Sequence, residues 1–230
     1  MIGGEQVADL EGRRALVYVG GSIAAVKAGE VITLLRRRGA ETRVAMTPSA
    51  TRFITPLSLQ SLSGHPVVSD LFREAHRRQP GGGGATSAGS GEAAHGMEHL
   101  TLSAWAELQL AVAASANLIA RLALGLADDA VTATALACRA PLVIAPAMET
   151  AMWEHPATQG HVETLRGRGV TFVGPSSGRL ASGHEGIGRM AEPAEIVEGA
   201  AAVLQGIAEP PPPIADLPSG LLGYTEAGSA

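Results

Sequence analysis

Cysteine is almost missing from this chain of 230 residues: a lone Cys138 excludes an intrachain disulfide and fits a reducing compartment. Aromatics are as scarce, at 3%. The apolar content is carried by Leu, Ile, Val and Ala, which suits a sheet covered by Ala-rich helices. No apolar run reaches the roughly 20 residues a membrane-spanning helix needs. Residues 1–13 lack the basic stretch followed by an apolar one that marks a secretory leader. Positive charge is in deficit, with 17 Lys and Arg against 22 Asp and Glu. The resulting net charge of −5 gives no electrostatic reason to expect nucleic acid or an anionic membrane as partner. His65, His76, His95, His155, His161 and His184 show no metal-ligand spacing supported by Cys or carboxylates, so no metal is expected. These absences make a soluble cytoplasmic protein the expectation.

What is present is an alternation of short apolar runs and helical patterns. Strands are expected at Arg14–Val19, 43–46, 108–113, 142–145 and 171–173, and helices at 23–38, 117–124, 128–138, 156–168 and 193–204. Continuous apolar strands alternating with helices predict one α/β domain, a Rossmann-like parallel sheet with helices on both faces. The length accommodates one such domain, over residues 10–206. Within it, residues 76–97 contain Gly81-Gly82-Gly83-Gly84 and read as a flexible surface loop. Residues 207–230 begin with Pro210-Pro211-Pro212-Pro213 and read as a disordered, extended tail.

In doubly wound sheets ligands sit beyond the carboxyl ends of the strands, and the polar motifs fall there. Gly20-Gly21-Ser22-Ile23 joins the first strand to the first helix. Glycines permit close backbone approach, and a helix start offers N–H groups to a phosphate. Ser22 is also a good N-cap, and capping alone would account for it. Thr47-Pro48-Ser49-Ala50 follows the second strand and Ser115-Ala116-Asn117 the third. Either could be a turn with an N-cap; together with the first loop they suggest a mononucleotide site. Asp128-Asp129 reads as helix-start capping rather than a catalytic pair.

The segment Ala145-Pro146-Ala147-Met148-Glu149-Thr150-Ala151-Met152-Trp153 adds a specific resemblance. It is similar to the Pro-x-Met-Asn-x-x-Met-Trp signature of the flavin-dependent cysteine decarboxylases. His99-Leu100-Thr101-Leu102-Ser103-Ala104-Trp105-Ala106 resembles that family's His-containing segment, and the three strand-end loops come in its order. The resemblance is strongest to the branch that acts in coenzyme A biosynthesis. It implies a flavodoxin-like fold and FMN as cofactor, with Gly21, Ser22 and Ile23 on its phosphate. Thr47, Ser49, Ser115, Ala116 and Asn117 would contact the rest of FMN, and Ala147 would lie near the ring. His99 would be the base, and Met148, Glu149, Met152 and Trp153 would line the substrate site. The implied reaction is oxidation of a cysteine thiol to a thioaldehyde, which then serves as electron sink for loss of carbon dioxide. An imidazole suits the proton traffic, although an isolated His in such a place could simply cap a helix. The implied substrate is a small thiol carboxylate, 4′-phosphopantothenoylcysteine, and the product 4′-phosphopantetheine. The resemblance further implies a homotrimer or multiple of trimers, together with a complementary subunit or a separate ligase.

The family's Pro-Ala-Ser-Ala-Asn-Thr is here Ala113-Ala114-Ser115-Ala116-Asn117-Leu118, without the Pro and the Thr, and two further departures bear directly on function. Glu149 replaces an Asn that donates a hydrogen bond to the substrate carboxylate, which an ionised Glu cannot do. Ser182, in Arg179-Leu180-Ala181-Ser182-Gly183, replaces a Cys that supplies the proton for reduction of the enethiol. Cys138 reads as the end of a packed helix and not as a substitute. Two further expectations follow: an oxidative peptidyl-cysteine decarboxylase that stops at the enethiol, or a catalytically impaired or partner-dependent FMN-binding subunit.

Overall fold

The computed structural model describes residues 9–71 and 98–206. Strands β1 (Arg14–Val19), β2 (Glu41–Met46), β3 (Leu108–Ala114), β4 (Leu142–Pro146) and β5 (Thr171–Phe172) form one parallel sheet in the order β2-β1-β3-β4-β5. That is the flavodoxin-like order, in which the chain reverses direction across the sheet between β1 and β3 and leaves a crevice there. The expected Rossmann-like single domain is thus observed among the described residues. The proposed loop at 76–97 and tail at 207–230 lie outside them.

Alternation along β1 divides the core. Ala15, Val17 and Val19 pack on one face with α1 (Ala28–Arg37), α2 (Pro56–Ser63) and α8 (Pro193–Gln205). Leu16 and Tyr18 pack on the other with α3 (Glu98–Trp105), α4 (Ala116–Leu124), α5 (Ala130–Ala137) and α7 (Pro156–Gly167). Both faces are covered, which explains why the strands read as unbroken apolar runs. The buried Tyr18 hydroxyl donates to Gln109 Oε1 at 2.9 Å, so the core's largest polar group is satisfied.

Local chemistry sets the helix ends. Asp129 caps α5 in a reciprocal box with Thr132 and pairs with Arg121 at 2.7 Å, so the capping expected of the Asp128-Asp129 doublet falls to Asp129, while Asp128 pairs with Arg121. The helix expected at 23–38 is two pieces, a 3₁₀ turn at Ile23–Lys27 followed by α1. Helix α2 was not anticipated, although Thr55 caps it, Pro56 opens it and Gly64 (φ 77°) closes it. Nor were α6 (Thr150–Glu154) and an antiparallel hairpin of β6 (Ser176–Arg179) and β7 (Glu185–Arg189). No helix among the described residues is long and apolar enough to cross a membrane.

Candidate active site

Three strand-end loops meet at the crevice between β1 and β3. Gly20 N–H donates to Val112 O at 2.9 Å, and Thr47 N–H donates to Val19 O at 3.1 Å. A Cβ on Gly20 would stand 2.3 Å from Ala113 O, and one on Gly21 2.3 Å from Ser49 Cβ. Glycine is therefore required by space at both positions. Ala113 itself holds φ 56°, and β3 shifts register between Ala111 and Ala114. A non-glycine residue in the left-handed region costs about 1–3 kcal/mol. Beyond this irregularity Ala147 N–H donates to Ala114 O at 3.0 Å, joining the loop after β4 to the same platform.

The hydroxyls of this platform differ in how they are used. Thr47 Oγ1 donates to Val19 O and accepts from Ala50 N–H, closing its own turn. Ser115 caps α4, accepting from Leu118 N–H at 3.3 Å. Ser49 and Asn117 are exposed and Ala116 is half-buried. Ser22 stands at the N-cap of the 3₁₀ turn, yet its side chain makes no capping bond. Its Oγ is buried with no partner among the described residues. Capping, sufficient on the sequence alone, is not what this hydroxyl does. A buried donor without a partner costs about 1–3 kcal/mol, so this hydroxyl is left able to serve a ligand oxygen at the mouth of a glycine-cleared loop.

A cavity of about 290 Å³ opens beside that loop. Ser22, Ile23 and Lys27 form one wall, Ala147, Met148 and Glu149 a second, and Arg179, Leu180, Arg189 and Met190 of the hairpin region a third. The hairpin is fastened at its base. Met148 N–H donates to Gly188 O at 3.0 Å, and a Cβ on Gly188 would meet Met148 O at 2.2 Å. Lys27 and Arg189 both pair with Glu192 at 3.1 Å, and the Lys27 ammonium holds the Glu192 carboxyl below its ordinary pKa. At the hairpin tip Ser182 Oγ donates to Glu149 Oε2 at 3.0 Å. These two departures from the family pattern, 33 positions apart in sequence, thus touch each other.

The remaining expected site residues lie elsewhere. Met152 is 46% exposed, whereas Trp153 is 8% exposed and packs into the core on the α4/α7 face. Trp153→Ala is expected to cost about 3–5 kcal/mol of stability in a denaturant titration, as for other large buried side chains. His99 is half-buried near the start of α3, and its Nδ1 is buried without a partner among the described residues. It is not part of the cavity wall; α3 packs against α5, on the sheet face opposite α1. Cys138 ends α5 with its thiol donating to Ser103 O at 3.2 Å, and burial raises its pKa, so it is structural. Lys27, Arg179 and Arg189 were missed as cavity residues. The signal for the hairpin that carries two of them was the recurrence of glycine at 178, 183, 186 and 188.

Comparison with known proteins agrees with this geometry. The Flavoprotein family model matches residues 4–205. The Escherichia coli coenzyme A biosynthesis bifunctional protein CoaBC is 44% identical over 193 residues, 84% of this chain and 43% of its own length. Its Bacillus subtilis counterpart is 39% identical over 189 residues, 82% of this chain and 42% of its own. The chain therefore spans less than half the length of these relatives. Among solved structures, a PPC decarboxylase mutant complexed with pantothenoylaminoethenethiol superposes with a TM-score of 0.69 at 30% identity, covering 85% of this chain and 100% of that one. The FMN-dependent cysteine decarboxylase SpaF gives 0.66 at 31% identity, over 85% and 99%. With this sheet order, this loop platform and these relatives, the chain belongs to the Flavoprotein family, among the flavin-dependent cysteine decarboxylases and close to PPC decarboxylase.

Proposed function

We propose that this protein binds FMN and decarboxylates the cysteine moiety of 4′-phosphopantothenoylcysteine to give 4′-phosphopantetheine. The observation that carries the reading is the unpartnered Ser22 hydroxyl in a glycine-cleared loop at the β1/β3 crevice, beside the cavity. The residues present fit FMN. Gly21, Ser22 and Ile23 would hold its phosphate, with Thr47, Ser49, Ser115, Ala116 and Asn117 along the platform and Ala147 near the ring. Bound FMN would supply the hydride acceptor for oxidation of the substrate thiol.

The chain's own groups divide the rest of the work. Met148 contributes apolar surface to the substrate side, Met152 stands exposed on the neighbouring helix α6, outside the cavity wall, and Trp153 fixes their segment from beneath. His99 takes the proton from the substrate sulfur. That His99 does not border its own chain's cavity supports the homotrimer or multiple of trimers that the family resemblance implies, with a neighbouring copy bringing His99 to the site. A ligase activity that makes the substrate, fused or separate, is the functional partner.

The Ser182–Glu149 contact favours a second outcome at the last step. The hydroxyl is a poorer acid than a thiol, and its proton is directed to the Glu149 carboxylate. Reduction of the enethiol is slowed, and the protein then works as an oxidative decarboxylase on a small-molecule or peptidyl cysteine, leaving two electrons on the flavin that an external acceptor such as dioxygen would remove between turnovers. PPC decarboxylase has been captured as a mutant holding pantothenoylaminoethenethiol, which supports an enethiol as a species such sites retain.

Mass spectrometry of the products tests both. The protein is loaded with FMN and given 4′-phosphopantothenoylcysteine without oxygen. Decarboxylated product at the mass of 4′-phosphopantetheine supports the first outcome, and product lighter by two hydrogen atoms supports the second. Recovery of intact substrate from FMN-loaded protein refutes both.

A further inference from the structure

We infer that Glu149 and Ser182 are coupled positioning residues, a latch that holds the β6–β7 hairpin over the cavity without help from substrate. A two-stranded hairpin is marginal on its own, so what fastens it to the domain decides whether it closes. The base is fastened through Gly188 and Glu192, as described above. The tip is different: residues 181–185 are all exposed, and Ser182 reaches the half-buried Glu149. The bonds Leu180 N–H to His184 O (2.8 Å) and Gly183 N–H to Leu180 O (2.9 Å) run within the tip itself. His184 N–H, donating to Ser182 Oγ at 3.4 Å, orients the hydroxyl.

The polarity of the contact matters. Ser182 gives its proton to a carboxylate, so the oxygen it presents is an acceptor. An amide and a thiol in the same places would leave a donor and an acid for the ligand. Here the two replaced groups satisfy each other, and a ligand group that seeks Glu149 on the cavity wall has to compete with Ser182 for it. Each replacement supplies the partner the other needs, which gives a physical reason for finding both in one chain.

Hydrogen exchange on the full chain, with no ligand added, tests the latch. Glu149→Ala and Ser182→Ala are each expected to speed exchange of the Leu180 and Gly183 amides about tenfold, with the Met148 amide unchanged because the base stays fastened. The double variant should exchange no faster than Ser182→Ala alone, since that variant has already lost the bond to Glu149 as well as the one from His184 N–H. Glu149→Gln, which keeps an acceptor oxygen, should stay within about threefold of the parent. Unchanged tip exchange in the single variants, or effects that multiply in the double, would overturn the latch. The consequence for catalysis rests on the cavity being the reaction site, and a separate readout addresses it. In FMN-loaded protein, Ser182→Ala lowers KM for 4′-phosphopantothenoylcysteine because the ligand no longer competes with Ser182 for Glu149. A KM that stays put while tip exchange rises counts against the site assignment and leaves the latch standing.

Discussion

Replacing Glu149 by Asn raises kcat/KM for a cysteine-type carboxylate substrate by between about tenfold and a thousandfold. Glu149 forms part of the cavity wall, and its ionised carboxylate offers no hydrogen-bond donor. Two like charges about 4 Å apart repel by roughly 4 kcal/mol at an effective dielectric of about 20. At about 1.4 kcal/mol per decade that is a factor of about a thousand. Glu149 is only half-buried, so solvent screening moves the expected gain toward the lower figure. An Asn amide removes the repulsion and adds a donor. Ser182→Cys alone should change the rate of carbon dioxide release far less, while shifting product from enethiol to thiol. Steady-state kinetics of carbon dioxide release for the Glu149→Asn, Ser182→Cys and combined variants separate the two effects. A Glu149→Asn variant no faster than its parent would mean that the substrate carboxylate does not approach this side chain.

Gly20→Ala and Gly21→Ala should each weaken FMN binding by about five- to 150-fold and lower the melting temperature. The arithmetic starts from contact distances. A methyl at Gly20 meets the Ala113 carbonyl, and one at Gly21 meets Ser49 Cβ, each at 2.3 Å. Both neighbours are backbone or fixed directly to it, so relief requires a loop to move. Overpacking of this sort costs about 1–3 kcal/mol. The displaced parts are the platform that holds Ser22, so the cost reappears in cofactor affinity at about 1.4 kcal/mol per decade. Fluorescence titration with FMN measures the first effect and a thermal melt the second. Gly12→Ala serves as a contrast: nothing lies within 4 Å of its added methyl, and its φ of 71° confines any penalty to the backbone. Its flavin affinity should match the parent's.

The sheet was legible because burial on both faces imposes continuous apolar runs, and β1 and β4 came within a residue of their observed ends. The loops beyond the strands were legible by composition, since Gly, Ser, Thr and Asn gather where backbone must turn and helices must start. Composition could not reveal how each hydroxyl is used. Thr47 and Ser115 close their own turns while Ser22 does not, a difference that lies in side-chain placement and not in residue type. The hairpin was obscured because its four described strand-and-turn glycines replace the β-branched residues that usually mark strands. The pairing of Glu149 with Ser182 depends on that hairpin folding back on α6, so each replacement read as an isolated loss. His99 was legible as a chemical motif, but its distance from its own cavity follows from α3 lying on the opposite sheet face.

Carbon dioxide release from carboxyl-labelled 4′-phosphopantothenoylcysteine tests the central claim most directly, with the purified protein titrated by FMN. Label should be released in proportion to bound FMN, and the Gly21→Ala variant should need correspondingly more FMN to reach the same release. Protein that takes up no FMN, or that binds FMN yet releases no label, would contradict it.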